Sequence, residues 1–312
     1  MLVFVNGRIV PEDEAVISVF DRSFLYGDGL FETLRVTNGV PFRWEQHLER
    51  LKHGADFLKL RLPHSTAELR RFVEELVTAN QLPEAILRLT LSRGVGRGGY
   101  SPAGADRPSL VMSVHPLQSP EQEEPPRWRL VTASLRLPAH ERLARFKTCN
   151  KLPQVLARAE AEAAGGDEAL LLNTDGFIVE AASSNLFWLT NGSVRTPPLD
   201  SGVLAGVTRA VIRELCQSLG LPVEEANLTR EELMKTEGVF LSLSSVGVAE
   251  GIALDQQELR RSPVTREIHG AYRTLMREET LGGASRSKRQ AHAGRLANLA
   301  RTASPQPRSR KG

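Results

Sequence analysis

Residues 146–188 read FKTCNKLPQVLARAEAEAAGGDEALLLNTDGFIVEAASSNLFW, and this stretch decides how the rest of the chain is read. It opens on a lysine, Lys147, and closes on Glu180 and a Ser183-Ser184-Asn185 turn ahead of an apolar strand. Leu152 to Ala164 is rich in Ala, Glu and Leu and reads as a helix, which Gly165-Gly166 stops. Ala169–Leu172 and Phe177–Val179 flank Thr174-Asp175-Gly176 as a hairpin. Packed in sequence order, these elements bring Lys147 and Glu180 to one end of a sheet. The rival amine is Lys151, four residues on.

Outward toward the C-terminus, Leu186–Leu189 and Ser193–Arg195 flank another turn at Asn191-Gly192. Gly202 to Arg209 leads into a helix that ends at Gly220. The N–H groups of Val207 and Thr208 lie free at its start, and such an end binds anions. Thr229 and Glu232 form a capping box. Val239 to Gly251 is a strand entering a hydroxyl-rich turn at Ser244-Ser245, and Thr265 to Glu278 is a final helix.

Outward toward the N-terminus, Trp128–Ser134 reads as a strand. Leu117 to Trp128 carries three prolines, three glutamates and no apolar period, which marks a linker. The first region opens on a hairpin about Asn6-Gly7. A strand follows in the second half of 19–36. Helix patterns cover Glu45–Leu58 and, behind the capping box Ser65-Thr-Ala-Glu68, run on to Asn80. Ala85–Ser92 and Ser109–His115 are strands around the glycine-rich loop Ser92–Pro102. That loop lacks a Walker lysine and the G-x-G-x-x-G context.

Several of these segments together resemble the class IV (fold-type IV) pyridoxal 5′-phosphate enzymes. That family holds the branched-chain and D-amino acid aminotransferases and the 4-amino-4-deoxychorismate lyases. The matching strings are Asp28-Gly-Leu-Phe-Glu32-Thr33, Glu45 to Leu51, Lys147-Thr-Cys-Asn150, Asp167 to Leu172, Gly176 to Glu180, Ser183 to Phe187 and Gly206-Val-Thr-Arg209. The resemblance covers roughly residues 1 to 280. It implies an α+β fold of two domains: a small N-terminal α/β domain (1–117), a linker (118–127) and a larger, barrel-like C-terminal domain (128–282).

The resemblance also implies the chemistry. Lys147 is the catalytic residue that forms a Schiff base with the cofactor's aldehyde, and Glu180 faces the pyridine nitrogen. Arg50, Val207, Thr208 and Ser244 share the phosphate, Arg50 because its planar fork suits phosphate oxygens. The match at Ser244 is the weakest, since Leu-Ser-Ser replaces the family's usual pattern. Tyr26, Glu32 and Arg97 fall where the family binds substrate, with Arg93 as the alternative to Arg97. Lys151 stands where branched-chain enzymes usually carry tyrosine, which counts against that substrate. The 93–101 loop leans toward the lyases. The expected reaction is amino transfer from an amino acid to a 2-oxo acid, the alternative being release of pyruvate and 4-aminobenzoate from aminodeoxychorismate. A homodimer is implied, because the family completes its site with the partner subunit.

Bulk properties set bounds. The chain has 312 residues, 41% of them hydrophobic and 25% charged, as in ordinary globular proteins. No apolar run approaches a membrane span, and the start does not read as a signal peptide. Two cysteines make no disulfide framework, so a reducing cytoplasm is expected. The seven histidines show no metal-ligand spacing. The net charge of +3 belongs to the tail: residues 283–312 hold eight Lys and Arg and no acid, leaving a body of net −5. The tail reads as disordered. A tail-driven nucleic-acid binder, or a non-catalytic relative, is the rival reading from another class, though no aromatics interleave with the tail's charge.

Overall fold

Asn6 and Gly7 both sit at positive φ (48° and 94°), the conformation of a tight hairpin turn. They join β1 (Leu2–Val5) to β2 (Arg8–Pro11). The computed structural model describes residues 1–117 and 122–281 of the chain. Helix α1 (Arg22–Tyr26) is capped by Asp21, and was not foreseen because it is a single turn. Next come β3 (Gly29–Thr37), β4 (Val40–Pro41), α2 (Trp44–Leu58), α3 (Thr66–Asn80), β5 (Ala85–Ser92) and β6 (Ser109–Pro116). The six strands form one sheet in the order β2-β1-β6-β5-β3-β4.

Period-2 alternation divides this sheet's faces. Leu30, Leu34 and Val36 of β3, and Ala85, Leu87, Leu89 and Leu91 of β5, form a buried core with α2 and α3. Phe31 and Thr33 point the other way. The capping box at Ser65 and Glu68 forms as expected.

The second sheet contains β7 (Arg127–Leu137), β8 (Glu168–Asn173), β9 (Ile178–Ala181), β10 (Asn185–Thr190), β11 (Ser193–Thr196), β12 (Val223–Glu225), β13 (Gly238–Leu243), β14 (Gly247–Leu254) and β15 (Gln257–Glu258). Its order is β12-β11-β10-β13-β14-β7-β8-β9, with β15 on β14. β7 lies parallel to both β14 and β8, pairings between strands distant in sequence. Where β9 meets β10, Ala181 N–H donates to Ser184 O at 2.8 Å, so the sheet curls as a half-barrel. Helices α4 (Leu152–Ala163), α5 (Val207–Ser218), the short α6 (Arg230–Leu233) and α7, over 263–281, accompany it.

The architecture is the mixed α+β, barrel-like arrangement expected. Residues 118–121 of the expected linker and the whole 283–312 tail lie outside the described residues; Arg127 already belongs to β7. No helix among the described residues is long and apolar enough to cross a membrane.

Candidate active site

The backbone around the lysine is tied to β3 by two hydrogen bonds. Phe31 N–H donates to Lys147 O at 3.0 Å, and Cys149 N–H donates to Gly29 O at 2.9 Å. Phe146 stacks on Phe57 of α2 with centroids 4.4 Å apart. The Lys147 side chain turns into a cavity of about 680 Å³ between the sheets, with Phe31, Arg50, Lys151, Glu180, Thr208 and Ser244 among its walls. Its Nζ stands 4.6 Å from the Phe31 ring centroid. Burial, reinforced by the positive charge of Arg50, pushes the amine down to about 8. Lys151 caps α4 in the same cavity and is also lowered, chiefly by burial.

Glu180 arrives on β9, opposite Leu171 in the β8 register. Its carboxylate accepts the Leu204 N–H at 3.1 Å. Burial raises its pKa, and the charges of Lys151 and Lys147 and the Leu204 N–H work against that rise. The turn leading to α5 is shaped by Asn185, whose side-chain amide donates to Leu204 O at 2.9 Å. A Cβ on Gly206 would lie 1.9 Å from Asn185 Oδ1, so only glycine fits there. α5 then begins with no side-chain cap, and its first residues, Val207 and Thr208, line the cavity. Thr208 Oγ1 lies 3.5 Å from Ser244 Oγ.

Of the expected residues, Lys147, Arg50, Glu180, Val207, Thr208 and Ser244 converge on this cavity. Glu32 does not reach its wall. The strand alternation that sends Phe31 and Thr33 to the cavity turns Glu32 toward α2. There it accepts from Arg50 Nε (2.8 Å) and Nη2 (2.6 Å) and bonds His47 Nδ1 (2.7 Å). Burial would raise the Glu32 carboxyl, but the charge and hydrogen bonds of Arg50, with those of His47, hold it at about 2. Arg50 also donates from Nη1 to Ala205 O at 3.0 Å. Three of its five N–H groups are thereby used, leaving two for a ligand.

Tyr26 and Arg97 also stand outside this chain's cavity wall. Tyr26 packs on Tyr100, with centroids 5.5 Å apart, and Arg97 is exposed. Arg93, the alternative clamp, is committed elsewhere, to Asp28 and to the carbonyls of Leu58 and Lys59.

Beyond the expected residues, Arg88 stands next to Phe31, exposed and itself outside the cavity wall. It lies on β5 opposite Thr33, with its guanidinium carbon 4.0 Å from the Phe31 centroid, and no carboxylate pairs with it among the described residues. Phe31 thus carries both Arg88 and Lys147. Strand alternation with Thr90, across from Phe31, was the signal available in the sequence.

A model of the amino-transferase class IV family matches residues 29–251. The chain belongs to this family. A putative branched-chain-amino-acid aminotransferase of Methanocaldococcus jannaschii is 34% identical over 265 residues, covering 85% of this chain and 91% of the relative. Aminodeoxychorismate lyase of Bacillus subtilis is 33% identical over 250 residues, covering 77% and 84%. Among solved structures, the branched-chain aminotransferase of the thermophilic archaeon Thermoproteus uzoniensis with norvaline superposes with a TM-score of 0.82 at 30% identity, covering 88% of this chain and 94% of that one. Class IV membership makes the chain a pyridoxal-phosphate-dependent enzyme, an aminotransferase or an aminodeoxychorismate lyase.

The cavity's donor set fits such a cofactor. Its walls offer an uncapped helix start, two hydroxyls and the unused N–H groups of Arg50, the complement of a phosphate dianion. They also offer an amine and a buried carboxylate. Ser184 Oγ, Ser242 Oγ and Gln154 Oε1 are buried in the wall with no partner among the described residues, as expected of a surface that receives a polar ligand.

Proposed function

We propose that this class IV enzyme is an aminotransferase in which Lys147 is the catalytic amine and Glu180 the carboxylate that would face the cofactor's ring nitrogen. The observation that carries this reading is one cavity lined by a desolvated lysine, a buried carboxylate and an uncapped helix start. Pyridoxal phosphate, when bound, supplies an aldehyde for an amine to condense with and a ring that withdraws electrons. Arg50, the amides of Val207 and Thr208, and the hydroxyls of Thr208 and Ser244 hold its phosphate. Lys147, poised at about 8, accepts a proton from the substrate carbon and returns it to the other reacting carbon. Glu180, facing a protonated ring nitrogen, stays ionised against the pull of burial. Arg88, exposed on the Phe31 ring and without a carboxylate partner among the described residues, is the candidate to receive the substrate carboxylate.

The chain works in this reading as a cytoplasmic homodimer. Phe20, Phe24, Tyr100, Leu152, Val155 and Leu156 are large exposed apolar side chains. Asn150 Nδ2, donating to Gly27 O at 3.2 Å, brings the α1 end of that set beside the α4 end. Such a surface suits a second copy, whose glycine-rich loop then brings Arg97 and Tyr100 toward the neighbouring cavity.

The second reading is aminodeoxychorismate lyase, favoured by the Bacillus subtilis relative and by Lys151 standing where branched-chain enzymes carry tyrosine. The deciding assay offers 4-amino-4-deoxychorismate beside L- and D-amino acids with 2-oxoglutarate or pyruvate as acceptor. Keto acid formed from an amino donor only when acceptor is present supports the aminotransferase. Pyruvate released from deoxychorismate without acceptor overturns it in favour of the lyase. Borohydride reduction and peptide mapping place the adduct, and a pyridoxyl group on any lysine but Lys147 overturns the site.

A further inference from the structure

The glycines of the 93–104 loop do two different jobs. Gly98 and Gly99 take positive φ with open space around them. Gly94 and Gly96 are packing positions: a Cβ on Gly94 would stand 1.9 Å from Arg107 O, and one on Gly96 3.2 Å from Arg22 Cδ. Arg22, 5% exposed, uses the room left at Gly96 to reach the inside of the loop. Its Nη1 donates to Gly99 O (2.9 Å) and Ser101 O (3.0 Å), and its Nη2 to Tyr100 O (3.1 Å). Three successive carbonyls converge on one guanidinium, an arrangement a glycine-rich segment would not keep alone because of its backbone entropy.

The guanidinium is itself braced. Arg22 Nε donates to Asp28 Oδ2 at 2.8 Å, and Arg93 Nε donates to the same oxygen at 2.7 Å. Arg93 donates onward to Leu58 O (2.8 Å) and Lys59 O (3.2 Å), at the C-terminal end of α2. A continuous run of charge-assisted bonds therefore ties the helix that carries Arg50 to the tip of the loop. On the outer side of that tip, Arg97 and Tyr100 are exposed.

We propose that Arg22, braced by Asp28 and Arg93, is a positioning residue that fixes the glycine-rich loop and so presents Arg97 and Tyr100 to the substrate. Presentation to substrate rests on the functional reading above; the fixing of the loop does not. The test is Arg22→Lys in the holoenzyme, which keeps the charge and the pairing to Asp28 but replaces the flat fork by a point charge. Trypsin cleavage after Arg97, followed by mass spectrometry, accelerates about tenfold as the loop opens more often. KM for the preferred amino donor rises roughly fivefold at near-constant kcat, and the absorbance of bound cofactor is unchanged. Gly96→Ala, which crowds Arg22 without removing it, gives a smaller change in the same direction and serves if Arg22→Lys does not fold.

Unchanged cleavage at Arg97 in both variants overturns the clamp. Faster cleavage with an unmoved KM overturns the positioning role. The proteolysis arm needs no substrate, so its failure belongs to this proposal alone, whereas a wild-type enzyme inactive on every donor is the failure of the functional reading.

Discussion

Lys147 is the residue on which the electrostatics of the cavity turn. Its ordinary value is 10.5 and its folded value about 8. Between those pH values the folded amine is neutral where the unfolded one binds a proton, so the cofactor-free protein gains stability from this group as pH rises through that window. The same shift makes the amine nucleophilic near neutrality. Borohydride trapping of pyridoxal phosphate by the cofactor-free protein is expected to rise with pH with a midpoint near 8. Lys147→Ala abolishes both adduct and turnover, while Lys151→Ala keeps the adduct; equal loss in both would reassign the amine.

Glu32 gives a second test at this scale. Its carboxyl is held at about 2 against an ordinary 4.5, so its stabilisation is full above 4.5 and is lost as pH falls toward 2. Glu32→Gln leaves Arg50 with a buried unpaired charge. The expected cost is about 3–5 kcal/mol, read by urea unfolding at pH 7, with the difference from wild type narrowing as pH falls below 4.5. That Lys147, Glu180 and Arg50 line one cavity could be expected from the sequence because each sits inside a distinctive string. The true station of Glu32 was not, because a one-residue step along a strand moves a side chain to the opposite face and no local string records which face is the cavity.

At the level of elements, the turn before α5 is tightly packed. Gly206 and Asn185 are 21 positions apart yet leave no room for one added carbon. Gly206→Ala is expected to leave the fold intact and to weaken cofactor binding by more than about tenfold, since displacing Asn185 loosens the amides of Val207 and Thr208. Fluorescence titration with pyridoxal phosphate measures this, and wild-type affinity in the variant would refute it. Helices α2 and α3 could be read directly from apolar spacing, α5 from its glycine boundaries, and the Asn6-Gly7 hairpin from its turn chemistry. The parallel pairings of β7 with β14 and β8 could not. They join segments far apart in sequence, and a parallel pairing leaves no turn signature between its strands.

For the whole molecule, the exposed apolar set running from Phe20 and Phe24 to Leu152 and Leu156 predicts the oligomeric state. Sedimentation is expected to give a dimer, and Phe24→Asp with Leu156→Asp a monomer of reduced turnover that retains cofactor. A wild-type monomer of full activity would contradict this. Class and architecture were legible because several strings recur in a fixed order. In the sequence the homodimer was an implication of the resemblance alone, since nothing in one chain's periodicity separates a core face from a face awaiting a neighbour.

The anchoring of residues 147–149 to β3 has a mechanical consequence. The reactive amine is stitched at its backbone to one sheet while its acidic counterpart rides on the other, and Phe146 against Phe57 rivets the seam. Swinging the sheets apart like a clamshell would tear the amine from its station. A frame seamed in this way is expected to stay shut when ligand enters, and small-angle scattering profiles with and without bound amino acid should superimpose.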